Sequence, residues 1–534
     1  MRRTAAGVAL ALALCACQAA HPAGFTGSGA HVLRIGYVND PSSLNPLFEY
    51  AQTQIDLCDL YTETLVGLNS KNELVPLLAR RVPTRENGDV SENGLTITYH
   101  LRNARFADGV AFTSNDVLFT YRAILDPRNP VTFPDPYKRI ASMTAPDAKT
   151  IVIRLKQAWA AATAELFAQS DFAYGILPAH SFDNDPGNLA SSDWNQHPFG
   201  TGPFRVVRWD RGTQIILSPN TNAWRKPHLR SLVVKIYPDD TSRVVALRTH
   251  EIDVTTVEGA QALTVRHTPG VHLRLTPMNG EDFLSFQTQH TPLGDARVRR
   301  AISEAVNREG IRRDAMLDMN EPDTTEDPQM TWAFDPAIAP LPFDQKRADA
   351  DLDAAGWHLQ GGTRYKNGRP LRLDVAFMGT REYSRRVATL LQADLRVVGI
   401  DAELHGYTVT MFMGGGSSDV LHSGRFDIAI TGFDNGSDPE ESEQFTCADR
   451  SPQGSDSSRW CNSEYDRQFA VQRATLDRRI RKAAFYRMQH ILHDSYAVDF
   501  LWTDEYHDAL ANNVSGWAPN MLYRYSNSED WDVR

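Results

Sequence analysis

The stretch His197 to Val254, HPFGTGPFRVVRWDRGTQIILSPNTNAWRKPHLRSLVVKIYPDDTSRVVALRTHEIDV, constrains the fold more than any other part of the chain. Gly200-Thr-Gly-Pro203 reads as a turn, because two glycines permit positive φ and proline fixes the next φ. Phe204 to Trp209 has strand composition, and Asp210-Arg-Gly212 is a hairpin turn. A second strand is expected at Gln214–Leu217, a polar break at Ser218–Asn222 and a third strand at Leu232–Tyr237. From Thr241, Val244, Val245 and Leu247 recur at helical spacing, and Glu251-Ile-Asp253 starts the next strand.

This ordered set resembles the family 5 extracytoplasmic solute-binding proteins of bacterial ABC importers, the dipeptide/oligopeptide-binding type. There a G-T-G-P-[FY] turn, a strand with a Trp, an N-x-x-[YW] break, a strand, a helix and a "G-x-I-D"-like step follow in the same order. His250 stands here in place of the Gly of that step. Phe106-Ala-Asp-Gly-Val-Ala-Phe-Thr-Ser-Asn-Asp-Val117 resembles the family's F-x-D-G-x-P-[FL]-T-A-x-D-V, with Ala111 for the usual Pro. Its chemistry is a turn at Asp108-Gly109 and a helix N-cap at Thr113, with Asp116 closing a capping box. A third match, Pro292 to Arg308, is a helix with Val298, Ile302, Ala305 and Val306 on one face. Asp295 sits at its start, where a carboxylate suits the dipole. Further likenesses are Leu33-Arg-Ile-Gly-Tyr37 through Leu44-Asn-Pro46, Ala348–Trp357, and Ser463-Glu-Tyr-Asp466. Strands are also expected at Leu371–Phe377, Phe426–Phe433 and Ala497–Trp502, and a helix at Ser384–Val398.

The resemblance runs from about residue 31 to the end. It implies an α/β, periplasmic binding protein-like fold, with two hinged lobes and an extra inserted domain. By that order, residues 31–61, 198–281 and 498–534 form lobe I, 62–197 the inserted domain and 282–497 lobe III. Bulk numbers agree with several lobes, since 534 residues at 42% hydrophobic are too long for one core. A net charge of −11 argues against a nucleic-acid surface, which needs clustered Lys and Arg.

Arg2 and Arg3 precede an apolar run, Ala5 to Ala16, that is too short to span a bilayer. Residues 1–16 therefore have the layout expected of a secretory signal peptide. Leu14-Cys-Ala-Cys17 resembles a lipobox, which makes Cys17 the lipidated residue; ordinary cleavage near Ala16–Ala20 is the alternative. Residues 17–30 read as a flexible tether. Cys447 and Cys461 enclose a polar, Ser/Gly-rich loop and are expected to form a disulfide in an oxidising compartment, with Cys58 a buried free thiol. Three cysteines do not supply a metal site, and no metal or other cofactor is expected.

The loop Gly432-Phe-Asp-Asn-Gly-Ser-Asp-Pro-Glu440 is the candidate site. In peptide-binding members an aspartate of a W-x-x-D-x-x-x-P loop pairs with the ligand's α-amino group. Asn435 stands four residues before Pro439, Asp434 one position earlier, and Phe433 in the Trp position. Either Asp434 has shifted into the role or the anchor is gone; a solvated turn is the plain alternative. Tyr37, Phe500 and Trp502 lie at strand ends that face the cleft in the family, although such aromatics are as a rule core. The loop is acidic between Asp434 and Glu443, but its glycine falls at the wrong position for an EF-hand.

No GxSxG, HExxH, Walker A, CxxC or helix-opening GxGxxG is present. The expectation is a non-enzymatic, monomeric, lipid-anchored cell-envelope protein of the periplasmic side. It binds di- or oligopeptides between its lobes and hands them to the permease subunits of an ABC importer. The same fold serving a nickel chelate, a sugar or an opine-like solute is the alternative, with a periplasmic hydrolase behind it.

Overall fold

Ten strands join into one mixed sheet that passes through both halves of the molecule. The computed structural model describes residues 30–48, 52–170, 174–416 and 418–534. Cys17 and the leader 1–16 lie outside the described residues. In chain order the strands are β1 (Val32–Val38), β2 (Phe204–Asp210), β3 (Gln214–Pro219), β4 (Ser231–Tyr237) and β5 (Val254–Thr256). They are followed by β6 (Val271–Phe286), β7 (Arg372–Met378), β8 (Asp401–Tyr407), β9 (Ile428–Asp434) and β10 (Val498–Ala511). Across the sheet the order is β8-β7-β9-β6-β10-β5-β1-β4-β3-β2.

Two parallel cores flank a central antiparallel pair. In the first, β1 runs parallel to β4 and β5; in the second, β7 runs parallel to β8 and β9. Strands buried on both faces need apolar residues along most of their length, which β1 supplies with Leu33, Ile35 and Tyr37, all nearly inaccessible. Between the cores, β6 pairs with β10 from Val271↔Ala511 to Ser285↔Val498. The register shifts twice: Pro277 faces Glu505 but Glu281 faces Thr503, and Asp282 faces Trp502 but Phe283 faces Phe500, which leaves Leu501 extra. Met278, Asn279 and Gly280 therefore bulge opposite Asp504. Such extra residues bend a strand and re-aim its side chains.

The expected lobe boundary 281/282 falls inside β6, and 497/498 at the start of β10, so both strands serve both halves. Residues 62–197 include a three-stranded sheet, Thr96–His100, Thr150–Leu155 and Ile140–Asp147, with the helix Ser114–Leu125. They share one apolar core with β1: Phe106, Phe112 and Ile151 belong to the same cluster as Leu33 and Ile35. A separate cluster, with Leu284, Ile302, Val375 and Leu391, fills the other half. The two halves also meet at Glu440, which is ion-paired with Arg139 at 3.3 Å and accepts a hydrogen bond from Trp159 Nε1.

Local expectations hold with instructive exceptions. Asp295 caps the helix Ala296–Ala305 by accepting from Arg297 N, and Asp116 Oδ2 accepts from Thr113 N at 2.8 Å. Gly200 and Gly202 are a correction, since neither has positive φ. A Cβ on Gly200 would stand 2.2 Å from Tyr61 O, and one on Gly202 2.7 Å from Tyr61 C, so close backbone approach is what demands glycine. His250 takes the left-handed conformation, φ 58°, which a glycine adopts without a Cβ penalty. The strand expected to end at Trp502 continues to Ala511, because its polar second half still finds partners in β6 and β5.

Cys447 and Cys461 are disulfide-bonded, with Cα atoms 4.6 Å apart, and Cys58 is buried outside this bridge, its thiol 3.1 Å from the Tyr61 hydroxyl. The bridge pins the loop that precedes the helix Ser463–Ala474. Replacing both bridged cysteines with serine is expected to lower unfolding free energy by about 3 kcal/mol, read from guanidinium denaturation midpoints; a change well under 1 kcal/mol would assign the loop's order to its other contacts.

Candidate ligand-binding site

Open α/β sheets bind ligands outside the carboxyl ends of their parallel strands, and three such ends converge here. Thr256, Val257 and Glu258 leave β5, Arg381 and Tyr383 follow β7, and Asp434 ends β9. All six line one cavity of about 400 Å³, which the bulge completes with Met278 on one strand and Asp504 on the other. That volume lies toward the lower part of the roughly 300–1,000 Å³ usual for small-ligand pockets. Gly280 pairs with Asp434 across β6 and β9, and a Cβ there would lie 2.8 Å from Asp434 Oδ1. The glycine lets the end of β9 lie tight against the bulge.

Charge in the cavity is uneven. Arg524 is held by Asp56 at 3.1 Å and Asp508 at 3.0 Å, and Glu505 accepts from Asn320 N at 2.9 Å. Among the described residues, Arg381 makes no ion pair; its hydrogen bond goes from Nη1 to the Tyr383 hydroxyl at 2.9 Å. The carboxylates of Asp434 and Asp504 accept no hydrogen bond among the described residues. Asp434 is open to the solvent of the cavity, yet surrounding protein desolvates it and raises its pKa, an effect Arg381 opposes. Desolvation raises Asp504 further, reinforced by the nearby carboxylates of Asp282 and Asp434. Asp282, which accepts from Trp502 Nε1 at 3.0 Å, is pushed up to about 6 by burial against the pull of Arg381.

Of the residues singled out from sequence, Asp434 lines this cavity. Asn435, next to it, is turned inward: its Nδ2 donates to Glu281 Oε2 at 2.6 Å and its backbone N to Asn279 O at 2.6 Å. Phe433 is half-buried against an aromatic group that includes Phe283, Phe445 and Phe500. Phe500 is buried with its ring 5.6 Å from that of Phe283, and Trp502 is buried over Asp282. Tyr37 is buried, its hydroxyl donating to that of Tyr525 at 2.6 Å. None of these four aromatics is among the residues lining the cavity. Asp438 of the same loop is ion-paired with buried Arg481, so the acidic run does not act as one cluster.

Sequence reading missed Arg381, Tyr383, Glu258 and Asp504. Arg381 had a signal, since it falls in the junction between the strand and helix expected at 371–377 and 384–398, where such folds place binding groups. Asp504 had none, because its position follows from the bulge on the opposite strand.

The model of the bacterial extracellular solute-binding proteins, family 5 Middle, matches residues 73–455. The chain belongs to this family of extracellular solute-binding proteins. It is 28% identical to the nickel-binding periplasmic protein of Escherichia coli (strain K12) over 375 residues, 68% of each chain. It is 27% identical to di/tripeptide-binding protein 2 of Pseudomonas aeruginosa (strain UCBPP-PA14) over 470 residues, 83% of this chain and 84% of the relative. Among solved structures, NikA from Brucella suis in complex with Fe(III)-EDTA superposes with a TM-score of 0.82 at 22% identity, covering 94% of this chain and all of the other. The expected α/β binding-protein fold is thereby borne out.

Two predictions concern the floor of the site. Asn435→Ala removes the hydrogen bond to buried Glu281 and is expected to cost about 1–3 kcal/mol in urea denaturation, with Asp434→Asn neutral or stabilising; equal losses would overturn this division. Asp323, fully buried and accepting from Thr503 Oγ1 at 2.9 Å, is raised by desolvation from 3.8 to about 6. A carboxyl raised in the folded state gives stability that is full below pH 3.8 and is lost as pH rises through about 6. Asp323→Asn should flatten that decline in a melting-temperature profile, and an unchanged slope would assign it to other groups.

Proposed function

We propose that the protein is the solute-binding component of an ABC importer and that its ligand is a short peptide held between the lobes. One observation carries the reading: Asp434 and Arg381 face one cavity of about 400 Å³, the carboxylate accepting no hydrogen bond and the guanidinium making no ion pair among the described residues. A peptide is a zwitterion, and it presents an ammonium and a carboxylate at opposite ends. Asp434 takes the α-amino group and Arg381, steadied by Tyr383, takes the carboxylate as a forked hydrogen-bonded pair. The cavity's size suits di- and tripeptides better than long chains. The di/tripeptide-binding relative supports this ligand class.

Ligand bridging stabilises the closed arrangement, in which Glu440 meets Arg139 and Trp159, by contacting residues that leave β5 and residues that end β7 and β9. Closure is a hinge movement about β6 and β10, and the closed form is the one presented to the permease. No step of catalysis is required for this role. Before closure the protein reaches the outer face of the membrane through its N-terminal segment, with Cys17 as the lipidated residue.

Calorimetric titration with dialanine tests the assignment. Asp434→Ala and Arg381→Ala are each expected to weaken binding by about 10-fold or more, as for loss of a desolvated ion pair. N-acetylation of the ligand should mimic the first substitution and C-terminal amidation the second. Unchanged affinity in Asp434→Ala would remove it from the site. Binding of nickel–histidine in place of every peptide would transfer the reading to metal chelates, for which His507 is the imidazole lining the cavity.

A further inference from the structure

The charges that line the cavity exceed what a simple zwitterion needs. Glu258, Asp434 and Asp504 face it as carboxylates, while Arg524 is committed to Asp56 and Asp508 and Glu505 to Asn320 N. Arg381 is left as the guanidinium not already ion-paired among the described lining residues. A neutral dipeptide adds one ammonium and one carboxylate, so it satisfies Asp434 and Arg381 and leaves Asp504 and Glu258 unanswered. Glu258 is exposed and keeps water. Asp504 sits on the strand opposite the bulge without a hydrogen-bond donor among the described residues; Arg381 is a cation near it, but that guanidinium also faces Asp282 and Asp434, so a ligand carboxylate that takes Arg381 leaves Asp504 without a counter-charge of its own.

We propose that Asp504 is a second cation subsite, and that the protein selects short peptides carrying a basic side chain, lysine or arginine, over neutral ones. This rests on the peptide reading given above. The bulge fixes the geometry: Pro277 faces Glu505 and Glu281 faces Thr503, so residue 504 is left with Met278, Asn279 and Gly280 across from it. Its carboxylate lines the same cavity as Asp434, and Met278 gives the aliphatic stem of a lysine or arginine side chain an apolar surface to lie on. An ammonium or guanidinium placed there supplies the donor that Asp504 lacks and offsets the repulsion among the carboxylates around it. An acidic ligand side chain meets the same field with the opposite sign and is rejected. Burial first, and then the carboxylates of Asp282 and Asp434, raise the proton affinity of Asp504, an effect Arg381 opposes.

Calorimetric titration of the purified protein with two matched pairs, Lys-Ala against Met-Ala and Ala-Lys against Ala-Met, tests this, with Ala-Glu as the acidic control. At least one basic peptide is expected to bind about 10-fold or more tightly than its methionine counterpart, and Ala-Glu more weakly than either. Asp504→Asn should bring each basic peptide to within about 3-fold of its methionine counterpart measured on the same variant. Equal affinities within both pairs for the unsubstituted protein would overturn the subsite and leave the peptide reading standing, a comparison that depends on no variant folding. An advantage that survives Asp504→Asn would overturn the assignment to this residue. Binding of none of the five peptides would overturn the subsite and the peptide reading together.

Discussion

The antiparallel pairing of two long strands is the constraint on which this molecule depends. β6 and β10 span sixteen and fourteen residues, and through them the two parallel cores become one sheet. A pair of twisted strands can bend and rotate along its length without losing its hydrogen-bond ladder, which is what a hinge between two lobes requires. The larger of two breaks in register, at Met278–Gly280 opposite Asp504, lies where the strands pass the cavity. The same irregularity that interrupts the ladder therefore also supplies two of the groups that line the site.

Around that pair, acidic side chains are sorted by depth. Glu281, Asp323, Glu326 and Asp327 are buried behind the cavity, and desolvation raises the pKa of each. Protonation removes a charge that low dielectric would penalise, and hydrogen bonds from Asn435, Thr503, Tyr465 and Gln489 hold the group in place. Asp434 and Asp504 face the open side instead. They are close enough to protein to be raised in pKa, against the pull of Arg381, and find no hydrogen-bond donor among the described residues. The difference between a structural carboxyl and a recognising one is here whether the fold provides its hydrogen bonds.

The far side of the cleft is closed by a different device. Glu440 lies on the half that carries β9, and its partners Arg139 and Trp159 lie in the segment whose core is continuous with β1. Ser437 Oγ also donates across the cleft, to Ala164 O at 2.7 Å. The loop that follows Asp434 thus reaches from the cavity to the contact between halves.

Much of this was legible in the sequence, because it rests on short-range rules. Strand and helix positions follow from side-chain periodicity, Asp295 from the preference for a carboxylate at a helix start, and the bridge Cys447–Cys461 from two cysteines around one loop. The motif order from Gly200 to Asp253 pointed to the family, and Asp434, singled out by comparison with the family's loop, lines the cavity. The remainder was decided by contacts between residues far apart in the chain. Gly200 and Gly202 answer to the backbone of Tyr61, not to their own φ. Asn435 and Asp434 are adjacent and chemically alike in size, yet strand alternation sends one to Glu281 in the interior and the other to the cavity. Tyr37, Phe500 and Trp502 carry an apolar surface that the interior buries, and Arg381 and Asp504 meet only after β7 and β10 enter one sheet. Local sequence sets what each segment becomes; which side chains share a cavity depends on strand register, and a single bulge shifts that.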